Sequence, residues 1–192
     1  MLSLEQEVKN KLEDMEVKYE DFTTSNKYPD FKIAFPVPTN PEGGKSFWLD
    51  AKEKIQHINL KNWLQTDIPE EGLFIIDELS IRRLLSLGLY SGVLIRTKEP
   101  LAYYFFSVLD FLFVPKLRAN RIASPTEIKG KWMIDLRFKP MKETLAYAIN
   151  SAYNYAFDLP KLIKQSECIG EVPTAGIPRT KAYRYIDYTT TR

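Results

Sequence analysis

The sequence predicts an α/β fold in which helices pack on a mixed β-sheet. Three observations carry this. Near the N-terminus Leu4, Val8, Leu12, Met15 and Tyr19 recur at helical spacing. Two strand-like segments follow, Phe31 to Val37 and Ser46 to Ile58, with the turn-forming run Thr-Asn-Pro-Glu-Gly-Gly-Lys from Thr39 to Lys45 between them. Far down the chain Leu145, Ala148, Ile149, Ala152 and Ala156 mark one side of a second long helix. Helices alternating with strands bury their apolar sides best in layers on a sheet.

Each element has a local reason. Ser3 is a helix N-cap, so the first helix is expected from residue 3 to 21. Pro36 and Pro38 limit the far end of the first strand, and the turn folds the second strand back as a hairpin. Residues 59 to 72 read as mixed loop and short helix. Asp77 can cap a helix from Glu78 to about Leu87, which Gly88 ends. Gly92 to Thr97 reads as a buried strand, Tyr103 to Val114 as another, and Lys131 to Phe138 as a further one. Met141 to Phe157 is the long helix. The remainder is looser, with Gly170, Pro173, Gly176 and Pro178 in a loop and a candidate edge strand from Lys181 to Thr189. No internal repeat or linker divides the chain, so residues 1–192 are expected to form a single domain.

Composition narrows the function classes. The net charge of +2 neither supports nor excludes nucleic acid, because binding needs a basic face and not a large total. A single cysteine, Cys168, and a single histidine, His57, rule out an intramolecular disulfide and a Cys/His zinc site. The most apolar stretch, Leu101 to Val114, contains Asp110 and is too short to span a bilayer as a helix. With no apolar signal core at the N-terminus, the expectation is a soluble cytoplasmic protein, in the host cytoplasm if viral, with no membrane partner.

One constellation can carry chemistry. Cleaving a phosphodiester requires an activated water and stabilisation of negative charge, and a carboxylate-bound divalent metal supplies both. Asp30 opens the first strand of the hairpin. Asp50 and Lys52 sit two apart on the second strand, so they point to one face, and the hairpin can bring Asp50 near Asp30. Lys54 and Gln56 continue that polar row, which suggests a face looking into a cleft and makes both candidates for nucleic-acid contacts.

Pro29-Asp30 followed by Asp50-Ala51-Lys52 resembles the metal site of the PD-(D/E)xK nuclease superfamily, which includes restriction endonucleases, archaeal Holliday-junction resolvases and small nucleases of archaeal viruses. Residues 3 to 97 resemble its core in order and spacing, and residues 98 to 192 read as a C-terminal extension and a possible dimer interface. The resemblance implies a restriction-endonuclease-like fold, a mixed central sheet flanked by helices. It further implies Asp30 and Asp50 as ligands of Mg²⁺ or Mn²⁺, the carbonyl of Ala51 as a further ligand, Lys52 as the catalytic lysine, and a glutamate from the first helix. Glu5 and Glu16 are both candidates for that glutamate, with Glu5 placed first. The middle acid is Asp where Glu is commoner.

Acidic-x-Lys triplets also occur at Glu7-Val8-Lys9, Glu16-Val17-Lys18 and Glu127-Ile128-Lys129, so the hairpin context, not the triplet, gives Asp50-Ala51-Lys52 its weight. Glu5 and Glu16 would ordinarily be solvated helix residues. Among the basic groups, Lys116, Arg118 and Arg121 are the best candidates for phosphate contacts, with a solvated loop as the ordinary alternative. The expected function is a metal-dependent DNA endonuclease, acting as a homodimer on duplex or on a junction or flap. The alternative is a nucleic-acid-binding or recombination-complex subunit that keeps the fold without the activity.

Overall fold

The structure, a computed structural model, describes residues 2–37, 40–54, 58, 66–114, 116–124 and 127–171. Gln56, His57 and the tail from residue 172 lie outside these, as do the side chains of Arg121 and Cys168.

Helix α1 (Leu4–Asp14) starts where the sequence placed it, with Ser3 Oγ accepting from Gln6 N at 3.2 Å. It ends about two turns earlier than expected, at Asp14 instead of residue 21. Glu16 takes a left-handed φ of 55°, and the chain turns into strand β1 (Lys18–Asp21). Met15, Val17 and Tyr19 are spaced by two, and all three pack against the core at the strand period rather than the helical one.

The hairpin strands are β2 (Phe31–Val37) and β3 (Asn40–Lys54), antiparallel and in register from Phe31 opposite Leu49 to Phe35 opposite Lys45, with a shift before Val37 opposite Asn40. Pairing thus begins at Asn40, inside the stretch read as an open turn. Strand β4 (Leu73–Asp77) falls in a region where no strand was expected. Helix α2 (Glu78–Ser86) follows directly, and Gly88, at φ 84°, stands just beyond its end. Asp77 occupies the N-cap position but makes no side-chain cap bond, because its carboxylate is taken by Lys131. Strand β5 (Ser91–Lys98) runs parallel to β3, and β6 (Leu101–Ser107) returns antiparallel beside it.

The single strand expected to Val114 instead ends at Ser107. Asp110 Oδ2 accepts from Ser107 N and Oγ at 2.7 and 2.8 Å, and the chain turns into the short helix α3 (Asp110–Phe113). The stretch whose ordinary reading was a solvated basic loop is strand β7 (Lys116–Ser124), paired with β8 (Glu127–Asp135), which ends in a 3-10 turn at Leu136–Phe138. Helix α4 (Leu145–Glu171) begins after Thr144 and continues through Pro160.

The result is a mixed α/β architecture with a five-stranded sheet, β1-β2-β3-β5-β6, and a three-stranded sheet, β4-β8-β7. Alternation on the central strands makes two cores. Phe31, Ile33, Phe35, Phe47, Leu49, Ala51 and Leu94 pack with Leu4, Val8 and Leu12 of α1 and with Ala148, Ile149 and Ala152 of α4. Val93, Ile95 and Phe106 face the other way, onto Ile76, Ile81, Leu84 and Ile134. Both cores belong to a compact unit spanning Met1–Ala156, and Phe157–Arg192 forms a second unit. The boundary between units therefore falls within α4, while β6, beyond the expected core limit at Thr97, belongs to the same sheet as β5.

Among the described residues no helix is long and apolar enough to cross a membrane.

Candidate metal centre

The β2–β3 register positions the pair. With Phe31 opposite Leu49, Asp30, one residue before β2, comes level with Asp50. Asp50 and Lys52 stand beside Val93 and Ile95 of the parallel neighbour β5, on the side of the sheet away from α1. Ala51, between them, is turned into the α1 core.

Asp30 is fixed by the backbone of the opposite strand, since its Oδ2 accepts from Ala51 N at 2.8 Å. Lys52 Nζ donates to Asp50 Oδ1 at 2.8 Å and lies 3.6 Å from Asp30 Oδ2. The same ammonium lies 3.3 Å from the Ala51 carbonyl oxygen. Two carboxylates, one carbonyl and one ammonium thus converge at the end of the β2–β3 pair.

The electrostatics are strained in an informative way. Asp50 is only 4% exposed, and burial pushes its carboxyl up to about 6. Lys52 opposes that rise, whereas the adjacent Asp30 carboxylate, within hydrogen-bonding reach, adds to it. Burial alone would lower the Lys52 ammonium, but Asp50, Asp30 and Glu5 together outweigh it and hold Lys52 above its ordinary value. The lysine is therefore a persistent cation and not a ready proton acceptor.

The two helix glutamates now separate. Glu5, in the first turn of α1, contributes its charge at Lys52. Glu16 is not on the helix at all; it is exposed on the turn after α1. That candidate is corrected by the early end of α1. Among the described residues no three His, Cys, Asp or Glu side chains come together as a metal cluster, so Glu5 does not close a three-acid site in this arrangement. Two carboxylates and the Ala51 carbonyl still suit Mg²⁺, which takes one or two protein carboxylates and keeps several waters.

The other candidates are more dispersed. Lys54 Nζ donates to the carbonyls of Glu70 and Glu71 at 2.6 and 3.3 Å, tying β3 to the segment before β4. Lys116 lies over the Trp132 ring, 5.6 Å from its centroid, and Arg118 is paired with Glu78 at 2.9 Å. Glu78 accepts from Arg82 as well, and it sits against Gly130 so closely that any Cβ there would collide with its carboxylate.

Sequence reasoning missed Arg96. It lies in the middle of the buried strand β5, 1% exposed, and its guanidinium bonds Glu7, Glu53 and the Leu2 carbonyl. Tyr103 Oη donates to Glu7 at 2.9 Å. This cluster fixes the start of α1, and hence Glu5, against the sheet. A lone arginine within Gly-Val-Leu-Ile-Arg-Thr was the available signal, because a charge buried in a strand demands partners.

Compared with known proteins, the chain matches no family model, no curated protein and no solved structure.

Proposed function

We propose that this chain is a divalent-metal-dependent DNA endonuclease of the PD-(D/E)xK kind. The observation that carries the reading is the convergence of Asp30 and Asp50 on one ammonium, with Lys52 Nζ at 2.8 Å from Asp50 and 3.6 Å from Asp30. The order of elements supports it: helix α1, the β2–β3 hairpin, helix α2 and β5 parallel to β3 follow the helix, hairpin, helix and strand that the resemblance implies, with β1 added before the hairpin and β4, of the second sheet, added after it.

In this reading Asp30 and Asp50 hold Mg²⁺ or Mn²⁺ with the Ala51 carbonyl. The ion, when bound, supplies Lewis acidity at the phosphate and a more acidic water. Asp30 is oriented for its role by the Ala51 N–H, which fixes Oδ2 while the carboxylate stays within hydrogen-bonding reach of Asp50. Lys52, held as a cation, aligns the attacking water and offsets charge growing on the phosphoryl oxygens. Glu5 biases Lys52 toward the protonated state. Symmetric cutting of two strands would call for a homodimer, and a location inside the cell goes with a DNA substrate.

A second reading has one observation in its favour. Only two acids converge among the described residues, which also suits a binding or recombination-complex subunit that has kept the fold and not the activity. Plasmid, single-stranded and branched DNA, each incubated with Mg²⁺ or Mn²⁺ and with EDTA, separates the two. Metal-dependent cutting that disappears in Asp50→Ala and Lys52→Ala supports the nuclease. DNA binding with no cutting of any substrate supports the second reading.

A further inference from the structure

Beside the acidic pair lies a group of aromatic rings that the metal site does not use. Tyr28 is two residues before Asp30, and Trp48 is two residues before Asp50 on β3, so Trp48 shares a face with Asp50 and Lys52. The Tyr28 and Trp48 rings are stacked, 5.6 Å between centroids at 14°. Phe22 leans on both, at 5.3 and 5.5 Å. Trp48 is half-buried and anchored through its backbone N–H to the Tyr90 carbonyl at 2.9 Å. Tyr28, the outer ring, is 44% exposed.

An exposed ring backed by a second rigid ring loses little freedom when a flat partner lies on it. Cations accompany the rings. Lys27, next to Tyr28, is exposed, and Lys32, opposite Trp48 in the β2–β3 register, holds its ammonium 5.8 Å from the Trp48 ring centroid while pairing with the exposed Glu20 at 2.7 Å. Flat rings with flanking ammonium groups suit a base and its phosphates together.

We infer that Tyr28, backed by Trp48, is a stacking platform for an unpaired base of the DNA strand that enters the Asp30–Asp50 site. The proposal rests on the nuclease reading and narrows its substrate class. A base can lie on Tyr28 only when it is out of a duplex stack, so the platform selects single-stranded, flapped or branched DNA over uninterrupted duplex. The platform also lies on the same sheet face as the acidic pair, so one strand can meet both.

The test is anisotropy of fluorescein-labelled oligo-dT, with a blunt duplex of equal length as comparison, titrated with the full chain in EDTA. Tyr28→Ala changes an exposed side chain, and Tyr28→Phe preserves the ring. The wild type should bind the single strand more tightly than the duplex. Tyr28→Ala should weaken single-strand binding on the order of ten-fold and leave duplex binding unchanged, and Tyr28→Phe should keep most of the affinity. An equal loss on both DNAs, no loss, or a Tyr28→Phe variant as weak as Tyr28→Ala overturns the platform. Tighter binding of oligo-U that also depends on Tyr28 overturns the assignment to DNA. Because the readout needs no cutting, a chain that never cleaves can still pass it, and one that cleaves through Asp50 can still fail it.

Discussion

Asp30 is held by the strand opposite it: Oδ2 accepts from the backbone N–H of Ala51 at 2.8 Å. One carboxylate thus closes the end of the hairpin and also faces Asp50. Structural and chemical roles can be separated by substitution. Asp30→Asn keeps an acceptor for Ala51 and removes the charge, so stability should change little. Asp30→Ala strands a part-buried N–H and should cost about 1–3 kcal/mol. Both should abolish metal-dependent cleavage. Urea unfolding beside plasmid nicking checks the pair.

Asp50 is a buried acid in an environment that favours its neutral form, with its carboxyl pushed up to about 6. The folded chain therefore holds a proton that the unfolded chain releases between its ordinary value and about 6. The stabilisation is complete at lower pH and is lost as pH rises through about 6. Asp50→Asn mimics the neutral form, so it should match wild type near pH 4 and exceed it by up to about 3 kcal/mol at pH 8. Denaturation curves at both pH values give the answer; equal stability at pH 8 would remove the argument that Asp50 is strained.

Under the proposed metal role of Asp50, the same titration would govern metal binding, since a ligand carboxylate must shed its proton. Mn²⁺ affinity should rise as pH climbs through about 6 and level off above it. Calorimetric titration at pH 5, 6, 7 and 8 reads this directly. Flat affinity across the series would place the metal elsewhere.

Lys52 occupies the space between the two carboxylates. Lys52→Met removes that cation, which competes for the same oxygens, so Mn²⁺ should bind at least as tightly as in wild type. Cleavage should nevertheless fall by on the order of a hundred-fold or more, the size expected when a charge-stabilising donor is removed. Tight metal binding with normal cutting would deny Lys52 a role in the chemistry.

Arg96 is the cation of the buried cluster with Glu7 and Glu53. Arg96→Met leaves Glu53 with its charge uncompensated and should destabilise the fold by about 3–5 kcal/mol. Arg96→Met combined with Glu7→Gln and Glu53→Gln should recover part of that loss. Thermal melts of the single and triple variants test whether the penalty comes from the stranded acids.

Much of this was legible along the chain because it is local. Ser3 and the spacing of Leu4, Val8 and Leu12 define α1; alternation defines β2 and the useful part of β3; Asp50 and Lys52 share a face because strand side chains repeat every two residues. What failed locally did so where two periods compete. Val17 and Tyr19 fit either a helix or a strand, and the left-handed Glu16 decided for the strand, taking Glu16 out of consideration. Leu73–Asp77 is too short to announce itself as β4 without its partner β8, and Lys116–Ser124, nine residues long, also fitted a solvated loop because Lys116, Arg118 and Arg121 are spread along it.

The sequence by itself determined the pair of motifs, their hairpin and the mixed α/β class, since each follows from contacts between residues near one another in the chain. Only the tertiary structure decided which helix glutamate lies near Lys52, that β5 runs parallel to β3, that Arg96 secures the start of α1, and that Tyr28 and Trp48 stack beside the acids. These depend on residues far apart in sequence, and on a dielectric environment that exists only once burial has pushed Asp50 up to about 6.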